Sequence, residues 1–276
     1  MLGNLERNIM LWHSTILQGV DLSFKLEMNR SLRERRSNLV LALDLSPDSS
    51  RYLLSRSMKI LKKVYPHVCA VKINHHLALP LGLFNEMQKI IQFVHDQELP
   101  IIMDCKINDI GSTNRVIAEH YYKAGFDAVI ANPFVGWDEG LQPVFEVARQ
   151  MDRGVILLVY MSHKGAEEGY GQTVFNPKTR KQVSQYHIFA EKALSWNADG
   201  GVVGATYPDK IREVHAILGK NVPIYSPGIG AQGGAVDLAM RAGARYLIVG
   251  RTVMLAANPV KALKGIKKVA EKYLEG

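Results

Sequence analysis

The sequence has little cysteine, no long hydrophobic run and no low-complexity tract, and each scarcity excludes something. Only two cysteines occur in 276 residues, Cys69 and Cys105. Both sit inside apolar strand-like runs, too few for a disulfide framework and wrongly spaced for a cysteine-ligated metal. They read as buried, reduced thiols of a cytoplasmic protein. Apolar runs such as Val155 to Met161 fall far short of the ~20 residues that span a bilayer. Arg7, His13, Ser14 and Thr15 interrupt the stretch from Met1 to Phe24, so no signal-peptide core is expected there. Acidic residues are the scarcer charge, 26 against 34 basic ones, for a net charge of +8. That excess suits an anionic partner, either a phosphorylated metabolite or a nucleic acid.

What is present is a rhythm. From Asn38 onward a short β-branched run is followed by a polar turn and then by an amphipathic helical stretch. Strands are expected over 39–45, 68–73, 101–106, 128–132, 155–160, 201–205, 223–226 and 246–250. Helices are expected over 48–65, 83–97, 110–124, 139–151, 185–197, 209–218, 235–242 and 259–274. Eight such units argue for a (β/α)8 TIM barrel, an α/β fold, rather than an open sheet. A chain of this length can bury about 70–75% of its unfolded surface, enough for one large domain. The expected division is an N-terminal extension over 1–37 and a barrel catalytic domain over 38–276. The extension ends in a basic run from Arg30 to Arg36; it reads as a helix closing the barrel floor, a frayed extension, or an arm touching RNA or a membrane. The interval from 161 to 184 holds Gly165, Gly169, Gly171, Asn176 and Pro177, which describe a mobile loop serving as a lid over the strand ends.

Chemistry-bearing residues gather where the expected strands stop. The third strand runs from Ile101 through Met103 into Asp104, Lys106 and Asp109, an Asp-x-Lys-x-x-Asp cluster. Residues two apart share a strand face, so Asp104 and Lys106 point the same way. Asn108 or Asp109 can cap the following helix. An isolated Asp-x-Lys also reads as a surface salt bridge, but the carboxyl end of a barrel strand is where this fold carries its chemistry. The first strand brings Asp44, the second Lys72, the fifth Ser162. After the seventh come Gly228, Gly230, Gln232, Gly233 and Gly234, and after the eighth Gly250 and Arg251. Bare backbone N–H groups in such glycine turns, beside a guanidinium, suit a phosphate. The glycines also read simply as tight turns.

Asp104-x-Lys106-x-x-Asp109-Ile110, Lys72 on the preceding strand, the Pro227-to-Gly234 turn with its Gln232, and Val249-Gly250-Arg251 together resemble the orotidine 5′-phosphate decarboxylase family, the archaeal form above all. The similarity runs from about Leu39 to Leu274. It implies decarboxylation of orotidine 5′-monophosphate to uridine 5′-monophosphate without metal or cofactor. Lys106 would protonate C6 of the pyrimidine, and Asp104, with Asp109 from a second subunit, would hold that lysine charged. Lys72 would complete the array. Asp44 and the second subunit's Thr113 would contact ribose hydroxyls, and Ser162 the pyrimidine. Gly230, Gln232, Gly250 and Arg251 would bind the phosphate, and Ile110 from the second subunit would line the carboxylate pocket. The resemblance thus implies a homodimer sharing its sites, with no nucleic-acid or membrane partner.

Two other readings compete. A magnesium-dependent sugar-phosphate lyase or aldolase, hexulose phosphate synthase-like, shares the Asp-x-Lys-x-x-Asp pattern but needs an acidic metal ligand where this chain has Lys72. A non-catalytic nucleotide or RNA binder fits the positive charge but gives no reason for carboxylates at the mouth. His75 and His76 would face opposite sides of a continued strand, against shared metal ligation; they and Lys164, after His163, depart from the family pattern. Asn132-Pro133 reads as a strand exit, and Trp137 as packing on the barrel rim.

Overall fold

The computed structural model describes residues 23–45, 49–177, 179–230 and 233–274. Strands β1 (Leu39–Ala42), β2 (Ala70–Asn74), β3 (Ile101–Ile107), β4 (Ala128–Ala131) and β5 (Gly154–Tyr160) are followed by a hairpin, β6 (Thr173–Asn176) and β7 (Lys181–Ser184). Then come β8 (Gly200–Val203), β9 (Ile224–Pro227) and β10 (Ala244–Val249). All but the hairpin close into a barrel of parallel neighbours in the order β1-β2-β3-β4-β5-β8-β9-β10. The expected (β/α)8 barrel is thus observed.

Helix α1 (Phe24–Arg35) lies at the barrel floor, and the others follow the strands: α2 (Ser50–Val64), α3 (His75–Leu81), α4 (Met87–Asp96), α5 (Gly111–Lys123) and α6 (Gln142–Gln150). After a short α7 (Ala166–Gly169) come α8 (Gln185–Ser195), α9 (Pro208–Leu218), α10 (Gly233–Ala242), α11 (Arg251–Met254) and α12 (Pro259–Ala270). None of the described helices is long and apolar enough to cross a membrane.

The strands read as unbroken apolar runs because both faces are buried. On β1, Leu39 and Leu41 face the helices, while Val40 and Ala42 face the barrel interior with Ala70, Ile102, Ile130, Ile156, Leu158 and Ile248. That interior is stoppered at the amino ends of the strands by α1, whose Phe24, Met28 and Leu32 join the inner cluster. Residue 154 must be glycine for this to work, since a Cβ there would lie 2.5 Å from the Phe24 ring. Arg36, left-handed at φ 48°, ends α1, and its N–H bonds back to Arg33 O and Leu32 O.

Several boundaries differ from expectation, each for a local reason. The helix expected over 83–97 begins at Met87, because Pro80 and a non-helical Asn85 (φ −117°, ψ −116°) interrupt the approach. The helix expected over 139–151 begins at Gln142, since Glu139 sits at φ 51°. The expected loop over 161–184 contains α7 and the β6/β7 hairpin, in which Asn176 pairs with Lys181. Thr173, Val174 and Phe175 favour extended chain, and Arg180 N–H closes the turn onto Asn176 O at 2.8 Å. Glycines and Asn-Pro around these short runs masked them in the sequence. Tyr160 O–H donates to Glu167, fastening α7 to the end of β5.

Candidate active site

A cavity of about 690 Å³ opens at the carboxyl ends of the strands. Its charged wall is built by β1, β2 and β3. Lys72, only 4% exposed on β2, donates to Asp104 Oδ2 at 2.7 Å and faces Asp44 Oδ1 at 3.7 Å. Lys106 donates to the other Asp104 oxygen at 2.6 Å. One carboxylate is therefore clamped between two ammoniums. Burial alone would raise the Asp104 pKa, but Lys72 and Lys106 outweigh it and hold the group below the usual carboxylate range. Asp44 Oδ1 is buried without a hydrogen-bond partner among the described residues, an acceptor facing the cavity edge and open to a hydroxyl.

Backbone irregularity aims these side chains. The β3/β4 register breaks between Met103 and Ile107, and Lys106 takes a left-handed conformation at φ 49°. A lysine there is strained, and such strain concentrates at functional sites. The Cys105 thiol points away from the cavity into the outer layer, where burial pushes it up to about 12. Asn74 ends β2, and its side chain accepts His76 N–H at 2.9 Å to cap α3. The strand therefore does not continue through the histidines, which correct the expected opposite-face placement. His75 instead lies 3.2 Å from the Tyr121 hydroxyl, and burial with the nearby Lys106 ammonium lowers its pKa.

Across the opening stand Ser162 after β5 and Gly228 and Gly230 after β9; Gly250 and Arg251 follow β10, the neighbour of β1, and a Cβ on Gly250 would lie 4.0 Å from Asp44 Oδ2. Gly228 turns the chain at φ 97°, a conformation glycine adopts without strain. Thr252 Oγ1 donates to Ile229 O at 3.1 Å, tying the two glycine turns together.

Of the residues singled out by sequence, Lys72, Asp104, Lys106, Asp44, Ser162, Gly230, Gly250 and Arg251 line this one cavity. Gln232 lies outside the described residues. Asp109, Ile110 and Thr113 do not line it. They stand exposed at the start of α5, with Asp109 accepting Ile110 N–H at 2.7 Å. Asn74, Met161 and Thr252, which the sequence places at the same strand ends without a role of their own, also line the wall. An asparagine before a helical run is a capping signal that identifies Asn74; Met161 and Thr252 carried no signal beyond adjacency to Ser162 and Arg251. Trp137 packs against Phe145 and Trp196, with centroids 5.3 and 5.1 Å away, as a rim residue.

Fold and site together define a (β/α)8-barrel enzyme type with an acid–lysine array, glycine turns and an arginine at one mouth. The model of the orotidine 5′-phosphate decarboxylase / HUMPS family matches residues 37–266, and the chain belongs to that family. Orotidine 5′-phosphate decarboxylase of Methanosarcina mazei is 34% identical over 243 residues, 88% of this chain and 99% of that one. The Pyrococcus abyssi enzyme of the same name is 37% identical over 229 residues, 83% of this chain and 96% of the relative. Among solved structures, Methanocaldococcus jannaschii orotidine 5′-monophosphate decarboxylase complexed with inhibitor BMP superposes with a TM-score of 0.70 at 30% identity, covering 85% of this chain and 98% of that one.

Proposed function

We propose that this protein decarboxylates orotidine 5′-monophosphate to uridine 5′-monophosphate, with no metal or cofactor. The observation that carries this reading is the Lys72–Asp104–Lys106 array in one cavity with glycine turns and Arg251. The C6–carboxylate bond breaks, carbon dioxide leaves, and the electron pair stays on C6. Lys106 Nζ then gives a proton to C6, and solvent reprotonates the amine. No ring position offers an electron sink, so stabilisation has to come from fixed charge that meets the carbanion better than the delocalised carboxylate. One ammonium at ~4 Å in an effective dielectric near 20 contributes about 4 kcal/mol, or roughly three decades of rate. Lys106 alone is insufficient. The rest comes from the ordered array and from phosphate binding energy that positions the ring.

In this reading Asp104 keeps Lys106 charged and Lys72 stabilises Asp104. Asp44 accepts a ribose hydroxyl, Ser162 meets the pyrimidine, and Gly230, Gln232, Gly250 and Arg251 hold the phosphate. Asp109, Ile110 and Thr113 act in the site of a second subunit. Supporting this is an exposed face of α5 formed by Thr113, Val116 and His120 at helical spacing. Phe84, 56% exposed, lies edge-on to His120 and extends the patch, and Ile110 is 66% exposed at the helix start. Two unpaired thiols and a nucleotide substrate support a cytoplasmic enzyme. The sugar-phosphate lyase reading is disfavoured by Lys72, whose ammonium already occupies the carboxylates a magnesium ion would need.

Purified protein is expected to deplete orotidine 5′-monophosphate absorbance and release carbon dioxide in excess chelator. Turnover that vanishes with chelator and returns with magnesium would refute the proposal.

A further inference from the structure

Between the end of β3 at Ile107 and the start of α5 at Gly111 lie Asn108, Asp109 and Ile110, all exposed. What fixes the course of this short link is Asn114, the fourth residue of α5 and 0% exposed. Its Oδ1 accepts the Asp109 N–H at 3.0 Å, and its Nδ2 donates to the Asp109 carbonyl. Nδ2 also donates to Gly140 O at 3.0 Å, in the turn Trp137–Leu141 that precedes α6. Both amide hydrogens and the amide oxygen are thus spent on backbone. The segments approach this closely because residues 111 and 140 are glycine: a Cβ on Gly111 would lie 2.9 Å from Glu139 O, and one on Gly140 2.8 Å from Val135 O.

Asparagine is a poor residue for a helix interior, because its side chain competes for nearby backbone groups. Here that competition is put to use. Ile110, in the capping position, makes no side-chain cap bond, and the Asn114 side chain reaches back past it to grip both polar groups of Asp109. Aspartate at 114 would set an acceptor against the Asp109 carbonyl, and a serine hydroxyl is too short to replace both bonds. The result is a carboxylate whose main chain is pinned, on a residue outside the cavity of its own protomer. In the proposed reaction Asp109 and Ile110 act in a second subunit's site, where a misplacement of about 1 Å costs roughly 10²-fold in rate.

We propose that Asn114 is the positioning residue that presents Asp109 to the site of a second subunit, an inference that rests on the shared-site decarboxylase reading. Asn114→Ala is expected to lower kcat by roughly 10²-fold, while uridine 5′-monophosphate, which lacks the carboxylate, binds as it does to the parent. Parent-like kcat would overturn the proposal. The deciding measurement is complementation: differently tagged Asn114→Ala and Lys106→Ala chains are co-expressed and the hybrid dimer is isolated through both tags. One of its two sites pairs an intact Lys106 with a correctly held Asp109, so the hybrid should recover about half of parent turnover. A hybrid without recovery, from an Asn114→Ala chain that binds uridine 5′-monophosphate and melts as a folded protein, would show that Asn114 acts within its own protomer and overturn the proposal. Asn114→Ser carries the same test should the alanine variant not fold. The control hybrid of Asp109→Ala with Lys106→Ala should recover equally. If it stays inactive while the parent turns over substrate, the shared site fails and this proposal with it; an inactive parent instead removes the decarboxylase reading.

Discussion

In the proposed reaction Lys106 carries the proton and the electrostatic field, and two features of its surroundings decide how it can do so. Asp104 holds its ammonium at 2.6 Å, and a left-handed backbone turns the side chain out of the β3 ladder into the cavity. Lys106→Ala is expected to reduce turnover by at least three decades, the contribution of one charge at close range, while uridine 5′-monophosphate still binds. Single-turnover kinetics beside product titration separates the two, and retention of substantial turnover would remove Lys106 from its role. Arg251 stands exposed at the same mouth, after β10. Arg251→Ala should raise KM for the phosphorylated substrate by about tenfold to a hundredfold, the scale of one charge-assisted contact, with little change for the unphosphorylated nucleoside. Equal loss for both would show that the arginine grips something other than phosphate.

At the scale of elements, the stopper helix α1 introduces a half-buried acid. Glu27 is raised from 4.5 to about 7, by burial first and by Asp127 second, with Arg153, Arg30 and His95 pulling the other way. Between those values the folded chain keeps a proton that the unfolded chain releases, so stability falls as pH rises through this window and the deficit is complete above pH 7. Glu27→Gln removes the titration. Its Tm should exceed that of the parent above pH 7 and match it below pH 4.5. Thermal melts across this range check the sign, and a variant less stable above pH 7 would mean that the Arg153 and Arg30 attraction dominates. The apolar side of α1 enters the interior through Phe24, Met28 and Leu32, so we propose that the folding unit includes these residues as well as the strands that follow.

For the whole molecule, the proposed reading has a second copy complete the mouth. Asp109 and Thr113 stand at the start of α5, outside their own protomer's cavity, beside exposed Val116 and Ile110. A charge at Val116, 51% exposed, should oppose burial of that face. Val116→Asp is expected to halve the mass measured by light scattering and to lower turnover with it. A monomeric variant with full turnover would show that each barrel is catalytically self-sufficient.

The barrel was legible in the chain because parallel strands buried on both faces leave continuous runs such as Val155 to Tyr160, and helices leave a 3.6-residue pattern; both are local consequences of burial. Asp104 and Lys106 were legible as neighbours because strand alternation fixes a shared face. Other features depended on contacts between distant segments. The hairpin over 173–184 was hidden by its glycines, the start of α3 at His75 by the apparent continuation of β2, and the left-handed turn at Lys106 had no sequence signal at all. Most of all, the distances from the Lys72 ammonium to Asp44 and Asp104 arise only when β1, β2 and β3 are brought side by side. Periodicity is written residue by residue, whereas the electrostatic field of a site is a sum over groups whose separations exist only once the barrel closes.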